Sequence, residues 1–362
     1  MANSGTRVAV GLSGGVDSSV AAALLKEEGY DVVGIMMEIF HSSMAVKEVE
    51  KHACYGPREK EDIEAAASVC NKLGIPFHII DLRSEHRNHV IDYVRSEYLA
   101  ARTPNPCVVC NRKLKFGLLP EKAKSAGIVF DFFATGHYAQ IVKSGDKYLL
   151  KKAIDRSKDQ SYFLYSLLPE QLSRTLFPLG AFTKQQVRKM ARSYGLETAD
   201  RPESQDFVAG GDYSPLFHKE EIEAGDIVDE DGNVLGKHRG IIHYTIGQRR
   251  GLGIASDRPL YVARINAETN RIVVSDRDSL LSEGLIATDL NLMAIEKLDR
   301  SHRIETKIRL QHQGVASTIF PHGNHKAKIL FDEPQMAISP GQSAVFYSDD
   351  YVFGGGVIER GF

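Results

Sequence analysis

The sequence has few cysteines and no long apolar run. Its four cysteines, Cys54, Cys70, Cys107 and Cys110, are too few to form a disulfide framework in 362 residues. No stretch approaches the ~18 to 20 apolar residues that a membrane span needs, and the apolar run at residues 8–12 is too brief for a signal-peptide core. We therefore expect a cytoplasmic protein, or one from an organelle whose targeting segment is missing.

An excess of charge of one sign is also absent. The 45 basic and 47 acidic residues give a net charge of -2, so the composition of the whole chain does not indicate nucleic-acid binding. Such binding would have to come from local basic clusters, of which the sequence has several. One stripe, Lys184, Arg188 and Arg192, recurs at helical spacing. It is either a solvated helix face or a surface that contacts phosphates.

What is present is an alternation of strand and helix patterns over the first ~210 residues. Short apolar runs typical of strands lie at 8–12, 32–37, 77–82 and 130–135, and helical spacing at 18–28 and 62–73. This alternation predicts a parallel sheet covered on both faces. Beyond residue 212, short strands and a hairpin signal at Asp231-Gly232-Asn233 replace it. We expect an α/β catalytic domain (1–212), a small mostly-β central domain (213–280) and a C-terminal β-barrel-like domain (281–362).

The segment SGGVDSS at residues 13–19 joins the first predicted strand to the first predicted helix. Gly14 and Gly15 let the backbone approach a bulky anion, and the N–H groups of a helix N-terminus favour negative charge. The serines add hydroxyl donors, and Asp17 can cap the helix or hold Mg²⁺. The segment lacks the lysine of a Walker loop. It nevertheless predicts a nucleotide-phosphate site.

A second informative stretch is the C-x-x-C pair of Cys107 and Cys110, followed by Arg112, Lys113 and Lys115. Cationic neighbours lower the pKa of a thiol and favour thiolate, the form that attacks electrophiles and binds metals. Such a pair serves as a redox pair, as half of a metal site or as a sulfur-carrying active site. No second pair follows that would complete a zinc site.

Six segments resemble, in order along nearly the whole chain, the tRNA-specific 2-thiouridylases. They are the loop at 13–19, RTPNP at 102–106, ATGHY at 134–138, SKDQSYF at 157–163, TIGQR at 245–249 and PGQSAV at 340–345. The loop itself resembles that of the PP-loop ATP pyrophosphatases, which split ATP between its α and β phosphates. The resemblance implies that ATP adenylates O2 of the wobble uridine in tRNA. A sulfur nucleophile then attacks C2 and AMP departs.

The same resemblance implies a role for each matching position. Cys110 matches the catalytic cysteine, with Cys107 beside it, and the target base would contact Asn105, Pro106 and Cys107. Contacts with ATP are implied for Gly11, Leu12, Ser13, Gly14, Gly15, Val16, Asp17, Ser18, Met37 and Gly136. Contacts with tRNA are implied for His137, Lys158, Asp159, Gln160, Arg309, Leu310 and Gln342. The implied cofactors are ATP and Mg²⁺. The sulfur donor would be a cysteine desulfurase or sulfur carrier, or free sulfide.

The chain departs from the family at two positions. Many members have Asp in place of Cys107, and a persulfide-carrying cysteine where this chain has Val208. The sulfur chemistry is therefore expected at the Cys107 and Cys110 pair. One version is a persulfide released by forming a Cys107–Cys110 disulfide. The other is a [4Fe–4S] cluster with Cys54, Cys107 and Cys110 as ligands.

Cys54 is preferred over Cys70 as the third ligand because we expect Cys54 in a turn-rich loop and Cys70 on the apolar face of a helix. Two other functions are consistent with the loop. One is a PP-loop ligase that adenylates a small molecule, which leaves the cysteine pair without a role. The other is a nucleotide-regulated RNA-binding protein, which would bind tRNA without cleaving ATP.

Overall fold

The computed structural model describes residues 5–41, 46, 53–203 and 206–362. Its strands are Arg7–Gly11 (β1), Asp31–Glu38 (β2), Ala53–Tyr55 (β3), Phe77–Asp81 (β4), Phe132–Thr135 (β5), Ala139–Ser144 (β6), Lys147–Lys152 (β7), Thr175–Leu176 (β8), Asp206–Val208 (β9), Gly225–Val228 (β10), Val234–His238 (β11), Tyr261–Asn266 (β12), Arg271–Ser275 (β13), Leu281–Leu292 (β14), His302–Lys307 (β15), Val315–Pro321 (β16), Ala327–Met336 (β17), Ser343–Ser348 (β18) and Tyr351–Gly361 (β19).

The α-helices are Val16–Glu27 (α1), Glu59–Leu73 (α2), Arg83–His86 (α3), Asp92–Leu99 (α4), Pro106–Val109 (α5), Leu119–Ser125 (α6), Ser161–Leu164 (α7), Pro169–Ser173 (α8) and Lys184–Ser193 (α9). Arg87–Ile91 and Cys110–Leu118 are π-helical. Short 3-10 helices cover Pro178–Ala181, Glu197–Asp200, Ala209–Gly211, Ser214–Leu216, Lys219–Glu221, Ile241–His243 and Asp278–Leu280. Within the described ranges, no helix has the length and apolar character needed to cross a membrane.

The chain divides into two compact units. The first comprises Met1–Val90, Cys107–Asp212 and Asp350–Val352, and the second comprises Ile91–Pro106, Tyr213–Asp349 and Phe353–Phe362. The segment before Cys107 therefore belongs to a different unit from the segment after it. The three domain boundaries expected from the sequence stay a prediction.

The first unit contains the parallel sheet predicted from the sequence. Its strand order is β4-β2-β1-β5-β8, and β1 pairs in parallel with both β2 and β5. The apolar strands are buried because helices cover the sheet, as the uninterrupted run of buried residues in β2 indicates. Helix α2 ends where Gly74 adopts the left-handed conformation, with φ of 61°. Cys70 of this helix is fully buried in the core, as predicted.

The second unit contains two β structures. The first is a sheet of order β11-β10-β13-β12, whose β10–β11 hairpin is the one predicted around Gly232. The second is a closed antiparallel barrel of order β14-β17-β16-β15-β18-β19, completed by pairing of β14 with β19 from Gly354 onward. Alternating buried residues of its strands form a separate core that includes Ile304, Ile329 and Phe346. The expected fold class, an α/β domain followed by a small β domain and a β-barrel, is confirmed.

Candidate functional site

The glycine-rich loop lies between the end of β1 at Gly11 and the start of α1 at Val16. Gly15 is the N-cap of α1 and has no side chain to satisfy the first N–H groups, so they remain available to an anion. Gly14 has φ of 70°, and a Cβ at this position would lie 2.6 Å from the backbone oxygen of Asp62. Glycine is therefore required both by the turn and by the close packing of α2 against it.

Hydroxyl groups fix the shape of this loop. Ser18 Oγ accepts from the N–H of Ser13 at 3.2 Å and lies 3.3 Å from Ser13 Oγ. Ser19 Oγ donates to the carbonyl of Gly15 at 2.8 Å. Ser18 and Ser19 are buried, whereas Ser13 is exposed. Ser18 and Ser19 therefore shape the loop from inside, and Ser13 is the exposed serine of the three.

Asp17 does not cap the helix. Its carboxylate accepts a hydrogen bond from the hydroxyl of Tyr138 at 2.7 Å. Each of its two oxygens also accepts a hydrogen bond from Nζ of Lys184 at 2.8 Å. Lys184 is only 8% exposed, so the stripe predicted from Lys184, Arg188 and Arg192 is not a uniform solvent-facing surface. Its first member is turned inward to the loop, because an ion pair with two oxygens stabilises the buried cation.

Glu203 and Arg201 extend the charged surroundings of the loop. Burial alone would raise the pKa of Glu203, but hydrogen bonds from Lys158 and Lys184 outweigh it and lower that pKa to about 2. Arg201 donates to the carbonyl of Gly14 at 2.7 Å and to Asp62 at 2.9 Å. Arg201, Glu203 and Asp62 could not be identified from the sequence, because they are distant from the loop and no motif spacing links them to it.

A cavity of about 300 Å³ lies over the loop. All ten residues predicted to contact ATP line it, namely Gly11, Leu12, Ser13, Gly14, Gly15, Val16, Asp17, Ser18, Met37 and Gly136. Gly136 is required because a Cβ there would be 2.5 Å from the backbone nitrogen of Ser18. The remaining lining residues include Cys54, Asp62, Lys115, His137, Gln160, Arg201 and Glu203. The structure thus brings the predicted set together, and their roles as ATP ligands stay predictions.

The thiols of Cys107 and Cys110 are half-buried at the junction of α5 and the π-helical segment Cys110–Leu118. Burial raises the pKa of Cys107 to about 12 and that of Cys110 to about 11, whereas Lys115 acts in the opposite direction. The expectation that Arg112, Lys113 and Lys115 make these groups thiolates is therefore wrong. Desolvation of the anion outweighs the effect of the nearby cation.

Cys54 lies in β3, a short strand that pairs with β9, rather than in a loop. Its side chain is exposed and lines the cavity. It is close enough to Cys107 and Cys110 for a charge on its sulfur to raise the pKa of both. Val208 of β9, which stands at the position of the family's second cysteine, is fully buried. A side chain at that position faces the core in this chain.

The three cysteines do not form a metal site. Among the described residues there is no group of three or more His, Cys, Asp or Glu side chains that could hold a metal ion. Ligands to one metal ion have to converge within a few ångströms, because metal–sulfur bonds are about 2.3 Å long. The expected [4Fe–4S] ligand set of Cys54, Cys107 and Cys110 is not supported.

The positions predicted to contact tRNA are divided between the two units. In the first unit, His137 Nδ1 lies 2.7 Å from the hydroxyl of Thr135, and burial, together with Lys115, lowers the pKa of His137 well below its usual value. Lys158 pairs with Glu203 at 2.8 Å. Asp159 accepts hydrogen bonds from Ala153 and Ser161, and Gln160 accepts one from the N–H of Tyr138.

The other predicted positions belong to the second unit. Asn105 is buried, and its N–H donates to the hydroxyl of Tyr93 at 3.3 Å. Pro106 begins α5. Gln342 donates through Nε2 to the carbonyl of Pro104 at 3.0 Å, so it holds the segment before the cysteine pair. Arg309 and Leu310 follow the barrel strand β15, with Arg309 exposed.

Comparison with known proteins gives matches along nearly the whole chain. Residues 6–209 match the family described as the tRNA methyl transferase HUP domain, residues 216–276 the tRNA methyl transferase PRC-barrel domain, and residues 282–358 the aminomethyltransferase beta-barrel domain. The tRNA-specific 2-thiouridylase MnmA of Acetivibrio thermocellus is 47% identical over 360 residues, which cover 98% of this chain and 99% of that one. The proteins of the same name from Carboxydothermus hydrogenoformans and Clostridioides difficile are each 45% identical over 361 residues, covering 98% of both chains.

Proposed function

The chain belongs to the family of tRNA-specific 2-thiouridylases, and on that premise we propose how its site carries out the ATP-dependent 2-thiolation of tRNA. One observation carries the proposal. The cavity over the phosphate loop is also lined by Cys54 and by Lys115, which lies five residues after Cys110 in one helical segment. The phosphate loop and the three cysteines to which we assign sulfur transfer, Cys54, Cys107 and Cys110, are parts of the same compact unit.

Adenylation is the first half of the reaction. The N–H groups at the start of α1 and the guanidinium of Arg201 bind the phosphates of ATP. Uracil O2 attacks the α-phosphorus, the bond to the β-phosphate oxygen breaks, and pyrophosphate leaves. The uracil then carries AMP on O2, which makes that oxygen a good leaving group. The runner-up, a ligase for a small molecule, shares this half of the reaction.

ATP is used with Mg²⁺, which neutralises phosphate charge when it is bound. Asp17 and Asp62 are carboxylates of the cavity wall that would hold such an ion. Both are already paired with cations, Asp17 with Lys184 and Asp62 with Arg201. These side chains fit an ion held mainly by the phosphates of the nucleotide, which is how Mg²⁺ is commonly bound.

Sulfur transfer is the second half. We assign the sulfur to a persulfide on Cys110, whose terminal sulfur attacks C2 of the uracil while AMP leaves with the oxygen. The thiolate of Cys107 then attacks Sγ of Cys110, the bond between Sγ and the transferred sulfur breaks, and its electron pair stays with that sulfur as the thiocarbonyl forms. The product on the protein is a Cys107–Cys110 disulfide. A sulfane-sulfur donor and a thiol reductant are therefore consumed in each cycle.

His137 is half-buried and lines the cavity, and because its pKa is lowered well below its usual value it can contact a base without adding charge. We assign His137, Lys158, Asp159 and Gln160 to contacts with tRNA, and Asn105, Pro106 and Cys107 to the target base. The wobble uridine would be splayed out of the anticodon loop to enter the site. We further assign 1–212 to catalysis, and 213–280 and 281–362, with Arg309, Leu310 and Gln342, to the rest of the tRNA. With tRNA as its substrate, we place the protein in the cytoplasm.

The proposal is tested with the full chain, unmodified tRNA, ATP, Mg²⁺, inorganic polysulfide and dithiothreitol. The expected result is AMP release that depends on tRNA, accompanied by 2-thiouridine at the wobble position. AMP release without thiolated uridine would contradict the proposed sulfur chemistry. AMP release that does not depend on tRNA would favour the small-molecule ligase, and tRNA binding without ATP cleavage would favour an RNA-binding protein.

A further inference from the structure

The three thiols beside the cavity differ in their access to solvent. Cys54 is exposed and lines the cavity, whereas Cys107 and Cys110 are half-buried and are not among the residues that line it. Cys70, the fourth cysteine, is fully buried on the inner face of α2. A donor that carries sulfur on its own surface can approach only a thiol that is exposed. Of the four cysteines, Cys54 is the one that meets this condition.

Cys54 is also the thiol close to the half-buried pair of Cys107 and Cys110. A charge on its sulfur acts on both Cys107 and Cys110. A stepwise transfer needs only two sulfurs to meet at a time, and a persulfide reaches about 2 Å farther than a thiol because of its added S–S bond. An exposed thiol beside two half-buried ones therefore fits serial transfer.

The strand that carries Cys54 holds it in place. In β3, Ala53 and Tyr55 pair with Asp206 and Val208 of β9. Tyr55 is buried and stacks on His86 with ring centroids 5.1 Å apart. Because successive side chains of a strand point to opposite faces, anchoring Tyr55 in the core turns Cys54 outward, toward the cavity that it lines.

We infer that Cys54 is the entry thiol of this enzyme, which accepts sulfane sulfur from a persulfide donor and passes it to Cys110. The inference rests on the proposed function. The Cys54 thiolate attacks the terminal sulfur of the donor persulfide, the donor's S–S bond breaks, and the donor leaves as a thiolate. The Cys110 thiolate then attacks the terminal sulfur on Cys54 in the same way. Each step moves one neutral sulfur between two thiolates, so neither step consumes an oxidant or a reductant.

The donor that fits this arrangement is a persulfide on a protein surface. Such a persulfide reaches the exposed thiol of Cys54 more readily than the half-buried thiols of Cys107 and Cys110. The probe is serum albumin carrying a persulfide on its reactive cysteine. With it, Cys54→Ala should lower the yield of 2-thiouridine about tenfold or more, because sulfur reaches Cys110 only by a slower direct route. The matched control is Cys70→Ala, which removes a thiol outside the cavity and should leave the yield unchanged.

Two further measurements make the result decisive. In Cys110→Ser, alkylation and peptide mass mapping should find the added sulfur atom on Cys54, because its acceptor is missing. In Cys54→Ala, a single-turnover burst of tRNA-dependent pyrophosphate release should persist, which shows that the variant folds and adenylates. Its AMP release should fall together with the yield of 2-thiouridine, because AMP leaves only when sulfur attacks C2. A wild-type protein that releases no AMP with tRNA would instead contradict the proposed function.

The inference is overturned if Cys54→Ala forms 2-thiouridine from the albumin persulfide at the wild-type rate. It is also overturned if the added sulfur in Cys110→Ser appears on Cys107 and not on Cys54.

Discussion

Lys184 Nζ lies 2.8 Å from each carboxylate oxygen of Asp17, although 167 residues separate the two in the sequence. The same nitrogen is 2.9 Å from Glu203. The phosphate loop has no lysine of its own. A cation from α9 is instead fixed beside the loop, where it holds Asp17 in one position and offsets the negative charge of Asp17 and Glu203, two carboxylates that line the cavity.

Replacing Lys184 should therefore weaken adenylation. In Lys184→Met, Asp17 and Glu203 lose their shared cation while the aliphatic packing remains. A charge-assisted hydrogen bond is worth about 1.5–3 kcal/mol, so kcat/KM for ATP should fall roughly 10- to 100-fold. The measurement is pyrophosphate release as a function of ATP concentration. Arg192→Met on the same helix is the control, since Arg192 is 61% exposed and should change the rate little. Equal effects of the two substitutions would contradict the assigned role.

Arg201 provides a second test of the loop. Its two nitrogens contact different groups, the carbonyl of Gly14 and the carboxylate of Asp62. Lysine keeps the charge but not the planar fork, so it cannot make both contacts at once. We expect Arg201→Lys to raise KM for ATP about tenfold, which is about 1.4 kcal/mol of binding. Nucleotide titration at equilibrium measures the effect. An unchanged affinity would show that Arg201 does not position the loop.

The raised pKa values of the cysteine pair predict a pH dependence of sulfur transfer. Burial raises the pKa of Cys107 to about 12, so at neutral pH almost all of it is thiol. If its thiolate releases the product, the single-turnover rate should rise about tenfold per pH unit between about pH 7 and 9. Lys115→Gln should lower the rate at each pH, because Lys115 lowers the pKa of both thiols. Pyrophosphate release should not follow this slope. A sulfur-transfer rate that is flat over this range would exclude Cys107 as the attacking group.

Stability should fall in mild acid because of His86. Its ring is 1% exposed, and neither ring nitrogen has a hydrogen-bond partner within the part of the chain that the structure describes. Burial lowers its pKa from 6.5 to about 4. Its stabilising contribution is thus present above pH 6.5 and is lost as the pH falls toward 4, because the unfolded chain then binds the proton more tightly.

Integrated over pH 7 to 5, this difference in pKa removes about 2 kcal/mol from the free energy of unfolding. Urea unfolding at the two pH values measures it. His86→Phe keeps a ring against Tyr55 and should reduce the loss by about that amount. If the variant and the wild type lose equal stability, His86 is not the titrating group.

The sequence alone predicts the elements whose signal is local. Strand β1, the glycine turn at Gly14 and the start of α1 at Val16 follow one another directly in the chain. Their order already indicates an anion site. The buried position of Cys70 follows from helical periodicity for the same reason. The hairpin around Gly232 is also local, since its two strands are neighbours in the chain.

Contacts that depend on the tertiary fold were not predictable. No spacing relates Lys184 to Asp17, and the helical stripe with Arg188 and Arg192 indicates a surface instead. The pKa of Cys110 could not be derived from its cationic neighbours, because the dominant cause is burial, which only the folded chain supplies. Cys54 looked like a loop residue because its strand pairs with β9, about 150 residues later.

The central claim is that ATP activates the oxygen that sulfur replaces, and an isotope test addresses it directly. A tRNA whose wobble uridine carries heavy oxygen at O2 is incubated with the enzyme, ATP and a persulfide donor, and the released AMP is analysed by mass spectrometry. Because the C2–O2 bond breaks while the bond from O2 to phosphorus remains, each AMP should contain one heavy oxygen for each 2-thiouridine formed. AMP without the label, in the presence of 2-thiouridine, would contradict adenylation of the uracil.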